Sequence, residues 1–213
     1  MQLSDYLLEC QRLLHDANNN FWSVAELTTY INDARNQVAA DTHCLRQLAT
    51  VNLSYNVETY AINSSVSLPG GRQVLDILNI TVLWGSMRIP LIQMSWTEFN
   101  AKMRAWVLNY SRPAAMSRYG TSNGTIYVQP IPDQAYVSEW DVCYLPLPLV
   151  NSTDTETDLS FPFTSPVAYY ACYKAKEKEQ AYGEAKEFHE QYKQKAMLAI
   201  NQSYTRVMPN PYT

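Results

Sequence analysis

The spacing of apolar residues changes twice along this chain, and nothing else in it constrains the fold as strongly. At the start, Leu3, Tyr6, Leu7, Cys10, Leu13 and Leu14 recur at helical intervals, which predicts an amphipathic helix from Leu3 to His15. From Thr50 the interval becomes that of a strand. Val51, Leu53, Tyr55 and Val57 alternate with Asn52, Ser54 and Asn56, the mark of a half-buried strand. At Ser165-Pro166 a serine cap and a proline at the first helical position announce a return to helix, which lasts to about Tyr204. Helices at both ends with strands between them predict an α+β fold. Its N- and C-terminal helices would form one bundle, with a β-rich, sandwich-like domain inserted between them.

The second helix has a well-specified start. Ser23 is an N-cap, and Glu26 three residues on completes a capping box. Trp22 before the cap and Leu27 after it have the spacing of a hydrophobic staple. Tyr30, Ile31, Ala34 and Val38 continue the apolar face, and the stripe extends as far as Leu48. Between the two helices, Asp16-Ala17-Asn18-Asn19-Asn20 is a turn, so the helices are expected to be antiparallel neighbours.

The middle of the chain is punctuated by turns. Pro69-Gly70-Gly71 precedes a buried strand from Val74 to Trp84, and Gly85-Ser86 turns it into a hairpin partner from Met87 to Met94. Ser95-Trp96-Thr97-Glu98 opens a helix to about Leu108, ended by Arg112-Pro113. Met116 to Gly124 reads as loop. Thr125 to Val128 is a short strand, with Tyr136 to Leu145 as its expected hairpin partner. Leu147 to Ser160 reads as a polar loop, and Gly183 is expected to divide the last helical region. The resulting division is residues 1–49 and 164–205 for the bundle and residues 50–163 for the inserted domain with one short helix. Residues 206–213 form an extended tail.

Composition bears on function. A net charge of −4 argues against a surface built to grip nucleic acid, which needs many Lys and Arg. A charged fraction of only 17%, with five Trp and sixteen Tyr, suits a protein with extensive interfaces. Cys10, Cys44, Cys143 and Cys172 are widely separated and read as buried free thiols. No signal peptide or membrane-spanning run is apparent, so folding in a reducing cytoplasm is expected. The Asn-x-Ser/Thr triplets then reflect Asn-rich loops, not glycan sites.

Catalytic patterns are missing from the sequence. His15, His43 and His189 lie in separate segments without ligand spacing, so neither a metal nor a cofactor is expected. There is no nucleophile elbow, Cys/His pairing or phosphate-cradling glycine loop. Asp154, Glu156 and Asp158 lack the spacing of a calcium loop and read as a solvated segment. The mixed charges of Lys174 to Glu179 read as pairs on a wet helix face. Tyr169, Tyr170, Tyr173, Tyr182, Phe188 and Tyr192 are too many for one core, so a share is expected at a subunit interface. The tail Val207-Met208-Pro209-Asn210-Pro211-Tyr212 is apolar. It is either disordered or a proline-stiffened peptide that docks on a partner.

Several of these segments together resemble the head-to-tail connector, or adaptor, proteins of tailed bacteriophages, of the short-tailed phage adaptor and gatekeeper type. They are Leu3 to Leu14, Trp22-Ser23, Glu26-Leu27, Tyr30-Ile31-Asn32, Ala34 and Gly124 to Pro132. Tyr144, Pro146, Pro166, Tyr169-Tyr170-Ala171, Tyr182-Gly183, Ala185 and Tyr192 complete them. The long, Asn-rich centre departs from that pattern. The resemblance implies a non-enzymatic virion protein. It implies a homo-oligomeric ring, about twelve-fold, under the portal protein, which joins the capsid to tail or nozzle proteins. The ring would line a channel through which DNA leaves without sequence-specific binding, and no membrane is involved. By the same analogy the helical part faces the portal and the β part faces the tail. Tyr204, Val207, Met208, Pro209, Pro211 and Tyr212 would contact the portal or a neighbouring subunit. Two alternatives stand beside this reading. One is a non-viral homo-oligomeric scaffold or binding module, and the other is a hydrolase using paired carboxylates.

Overall fold

The computed structural model describes residues 1–105, 109–120 and 124–203. It divides into two units, Leu45–Leu145 and the remainder, so the N-terminal 44 residues join the chain from Pro146 onward.

In the helical unit, α1 spans Leu3–Leu14 and buries Leu3, Tyr6, Leu7 and Cys10. His15 closes it in the left-handed conformation, φ 56°. Asp16 then organises the turn. Its carboxylate accepts the backbone N–H groups of Asn20, Phe21 and Trp22 at 2.9–3.1 Å. Helix α2, Val24–Thr42, starts as its cap predicts, with the Ser23 hydroxyl accepting the Glu26 N–H at 3.3 Å. The Glu26 carboxylate, however, is engaged by Lys178 and by the Tyr30 hydroxyl. Helix α2 ends at Thr42, short of Leu48, because His43 adopts φ 49° and the following residues enter a sheet.

Helix α5, Val167–Lys178, packs against α1, α2 and α6, Tyr182–Ser203. Its buried face is Val167, Ala168, Ala171, Cys172 and Ala175, and such small side chains allow close approach on several sides. The break before α6 falls at Gln180, φ 65°, and Gly183 lies inside the first turn of α6. The expected division at Gly183 is therefore displaced. The left-handed residue is a glutamine, whose N–H bonds the Glu177 carbonyl.

The second unit holds two four-stranded sheets. The first has the order β1 (Arg46–Leu53), β8 (Tyr136–Tyr144), β3 (Val74–Trp84), β4 (Met87–Pro90), all antiparallel. The second has the order β2 (Thr59–Ala61), β7 (Thr125–Gln129), β6 (Ala115–Tyr119), β5 (Ile92–Gln93), with β5 parallel to β6. One helical turn, α3 (Ile62–Ser65), follows β2, and α4 (Trp96–Lys102) lies between β5 and β6. A single core takes Val51, Leu53, Ile80, Val82, Trp140 and Val142 from the first sheet. It takes Tyr60, Met116, Ile126 and Val128 from the second, so the unit is a sandwich.

Three expectations are corrected here. Tyr136 to Tyr144 does not pair with β7. It crosses to the first sheet, where it lies between β1 and β3 and buries Trp140 and Val142 in the core, while β7 pairs with β6. The supposed loop from Met116 contains strand β6. Its Ala115, Met116 and Ser117 are all buried, because α4 packs on it, and a strand covered on both faces shows no alternation. Residues 146–163 group with the helices and not with the strands. Helix α4 closes at Lys102, and the expected end at Leu108 lies outside the described residues.

Candidate interaction surfaces

The segment from Pro146 to Ser160 is a loop exposed along Val150–Thr153, but its Glu156 is not solvated. The Glu156 carboxylate makes a bidentate pair with Arg35 of α2, at 2.6 Å to Nε and 2.8 Å to Nη2, and both side chains are only 1% exposed. The same carboxylate accepts the N–H groups of Asp158 and Leu159 at 3.1 Å, and the Tyr6 hydroxyl lies 3.4 Å away. Arg35 also donates to the Leu147 carbonyl at 2.7 Å and to Asn32 at 3.0 Å, while Asn32 exchanges two hydrogen bonds with the Leu149 backbone. Burial and the adjacent Glu156 charge push the Tyr6 phenol far above its ordinary value. Asp154 is engaged locally, since the N–H groups of Asn151 and Val150 hold its carboxyl below the usual range. The acidic residues are thus caps and an ion-pair partner. Sequence reading passed over Arg35, although a charged residue inside the stripe Ile31, Ala34, Val38 was the available signal.

Other chemistry-bearing groups are also occupied. Cys172 lies against Cys10, and this contact together with burial raises its thiol, which disfavours a nucleophilic thiolate. The Tyr192 hydroxyl donates to Asp41, and its ring meets Tyr170 at 5.0 Å, while the His189 ring lies tilted against Tyr173 at 4.8 Å. Tyr182, by contrast, is exposed. Lys176 is paired with Glu179 and Glu184, each at 2.9 Å, and Lys174 with Glu177 at 3.8 Å. Among the described residues, no three His, Cys, Asp or Glu side chains converge as metal ligands, and no helix is long and apolar enough to cross a membrane.

What the surface does carry is apolar. Phe161 is 79% exposed and Phe21 76%, and Met197 and Leu198 lie exposed near the end of α6. In the sandwich unit, Leu48, Tyr55, Trp84, Ile92 and Tyr119 are exposed. Phe161 and Leu198 line one surface groove, and apolar side chains gathered in this way mark a surface meant to be covered. The residues expected to bind a partner, Tyr204, Val207, Met208, Pro209, Pro211 and Tyr212, lie outside the described residues. Helix α6 carries the chain to Ser203, immediately before them.

A helical unit, a β-sandwich and many exposed apolar residues describe a protein built for contact. Against models of known families, residues 1–212 match the SU10 adaptor protein. The chain belongs to the SU10 adaptor family. It is therefore a bacteriophage head-to-tail adaptor, a structural component of the virion neck and tail with no enzymatic role. Membership also carries the oligomeric, ring-forming character of a connector. No curated protein matches the chain. For this adaptor, the buried Arg35–Glu156 pair has a structural task. It fastens the segment that returns from the sandwich onto α1 and α2, helped by backbone bonds from Leu3 to Asp154 and from Ser4 to Ser152 at 3.0 Å.

Proposed function

We propose that this adaptor closes into a ring of about twelve copies seated beneath the portal protein, with tail or nozzle proteins bound on the opposite side. The helical unit meets the portal and the sandwich unit meets the tail. DNA passes through the ring without sequence-specific contact, in keeping with a net charge of −4. Residues Tyr204, Val207, Met208, Pro209, Pro211 and Tyr212 form an arm that grips the portal or the next subunit, as their apolar, proline-stiffened composition supports. The observation that carries this reading is the family match across residues 1–212. Ring interfaces of this kind are heterologous, so each subunit must present two unlike patches.

The test is assembly. Purified adaptor, alone and mixed with its portal, is examined by native mass measurement and electron microscopy. The expected result is a closed ring, formed alone or on the portal. A protein that stays monomeric at high concentration with portal present overturns the proposal.

A further inference from the structure

The two edges of the first sheet differ in character. Strand β4 is four residues long and carries Pro90, which has no N–H to offer, so that edge is blunted. Strand β1 runs eight residues in unbroken register with β8, and neither proline nor charge interrupts Gln47 to Leu53. The phase of its hydrogen bonds is fixed by the Leu45 carbonyl, which accepts the Tyr144 N–H at 3.2 Å. Alternation then turns Gln47, Ala49, Val51 and Leu53 toward β8. Leu48, Thr50 and Asn52 direct their N–H and C=O groups outward, and their side chains are exposed. Among the described residues, no strand pairs with that side. An unprotected edge of this length is a template for another strand.

The chain itself supplies a matching segment. Tyr204-Thr205-Arg206-Val207-Met208 is rich in residues that favour strands, and Pro209 ends it. It begins directly after α6, which ends at Ser203, and its five residues equal the span from Leu48 to Asn52. Leu48, 65% exposed beside the edge, offers an apolar neighbour to Tyr204 in a parallel pairing or to Met208 in an antiparallel one. We propose that residues 204–208 of one copy add as an outer strand to β1 of the neighbouring copy, bonding through Leu48, Thr50 and Asn52. This rests on the reading of the tail as a docking arm. An arm and an edge are two unlike patches, and every copy carries one of each. That is what a head-to-tail ring requires.

Two kinds of variant test it in the full-length protein, with and without portal. Thr50→Pro removes an N–H that faces the edge and leaves the ladder to β8 intact. The assembled fraction is expected to fall about tenfold or more, as it does on deletion of residues 204–213, while circular dichroism stays unchanged. Thr50→Cys combined with Arg206→Cys, its opposite residue when 204–208 lie along 48–52 in either direction, is expected after oxidation of the assembly to give a ladder of cross-linked multimers on a non-reducing gel. The single-cysteine variants should not. If deletion of 204–213 leaves assembly unchanged, the docking arm and this inference fall together. If deletion abolishes assembly but the paired cysteines yield no ladder, or only a cross-linked monomer, the arm survives and its seat on the neighbouring β1 is overturned. The cysteine result decides even if Thr50→Pro does not fold.

Discussion

Arg35 and Glu156 are separated by 121 positions in sequence, and their pairing is nearly dry. Removing one partner of such a pair leaves a buried charge without compensation, whereas removing both takes away the charges and leaves only neutral groups, the Asp158 and Leu159 N–H and the Leu147 carbonyl, without their partners. Arg35→Met alone should cost about 3–5 kcal/mol, and Arg35→Met with Glu156→Leu should recover part of it, the remainder being the neutral groups left unpaired. Urea titration of the three proteins checks this, and an equal loss in the single and double variants would contradict it. Ser23→Ala should cost about 1 kcal/mol through the lost cap, with ring assembly intact. Lost assembly at unchanged stability would instead make Ser23 an interface residue. Asp16 gives a pH signature. The N–H groups of Phe21 and Trp22 hold its carboxyl below the ordinary 3.8. A carboxyl lowered in the folded state stabilises above its unfolded value and loses that contribution as pH falls through its folded value. The denaturation midpoint of Asp16→Ala should thus lie below the wild type at pH 7, and the gap should close below pH 3.8. A gap that persists at low pH would show that the loss is not electrostatic.

Among the elements, strand β8 holds the sandwich together, and its polar core is as specific as its apolar one. The Trp140 indole N–H donates to the Ser138 hydroxyl at 2.8 Å, and that hydroxyl donates to the Val51 carbonyl at 2.7 Å, so one side chain ties β8 to β1. Ser138→Ala strands a buried donor and should cost about 1–3 kcal/mol, read from thermal or urea unfolding. A neutral result would mean that the indole finds another acceptor. This strand also shows where sequence reading stops. Its alternation of Tyr136, Ser138, Trp140 and Val142 is legible, but its partners are not, since β1 and β3 lie far from it in sequence and the pairing is decided by the packing of the whole unit. Strand β6 was hidden for a different reason, because its burial on both faces erases the period that a strand is recognised by. Helix starts were plain at Ser23 and Ser95, where a cap is a local event. The end of α2 was less so. The stripe carried on to Leu48 while the backbone turned at His43. The Arg35–Glu156 clasp needed both halves of the chain in place before its acid could be told from a solvated one.

At the scale of the whole molecule, the chemistry points to a passage and not to a grip. Sixteen Lys and Arg face twenty Asp and Glu, and in the helical unit Lys176, Lys178 and Arg35 are each taken up by carboxylates. Binding to duplex DNA draws its strength from cations that replace condensed counterions, and its affinity falls steeply as salt rises. A subunit with a net charge of −4 and several of its cations paired with carboxylates has little to offer phosphates, and repeating it around a ring multiplies the net negative charge. In the proposed ring, a channel that kept that balance would repel the genome slightly along its length, which favours sliding over adhesion. Fluorescence anisotropy with a short labelled duplex should therefore show no saturable binding by the assembled adaptor at about 100 mM salt, and little gain on lowering it to about 50 mM. A tight complex with a steep salt dependence would mean that the assembled ring gathers free lysines and arginines into its bore. The exit channel would then hold the DNA as well as pass it.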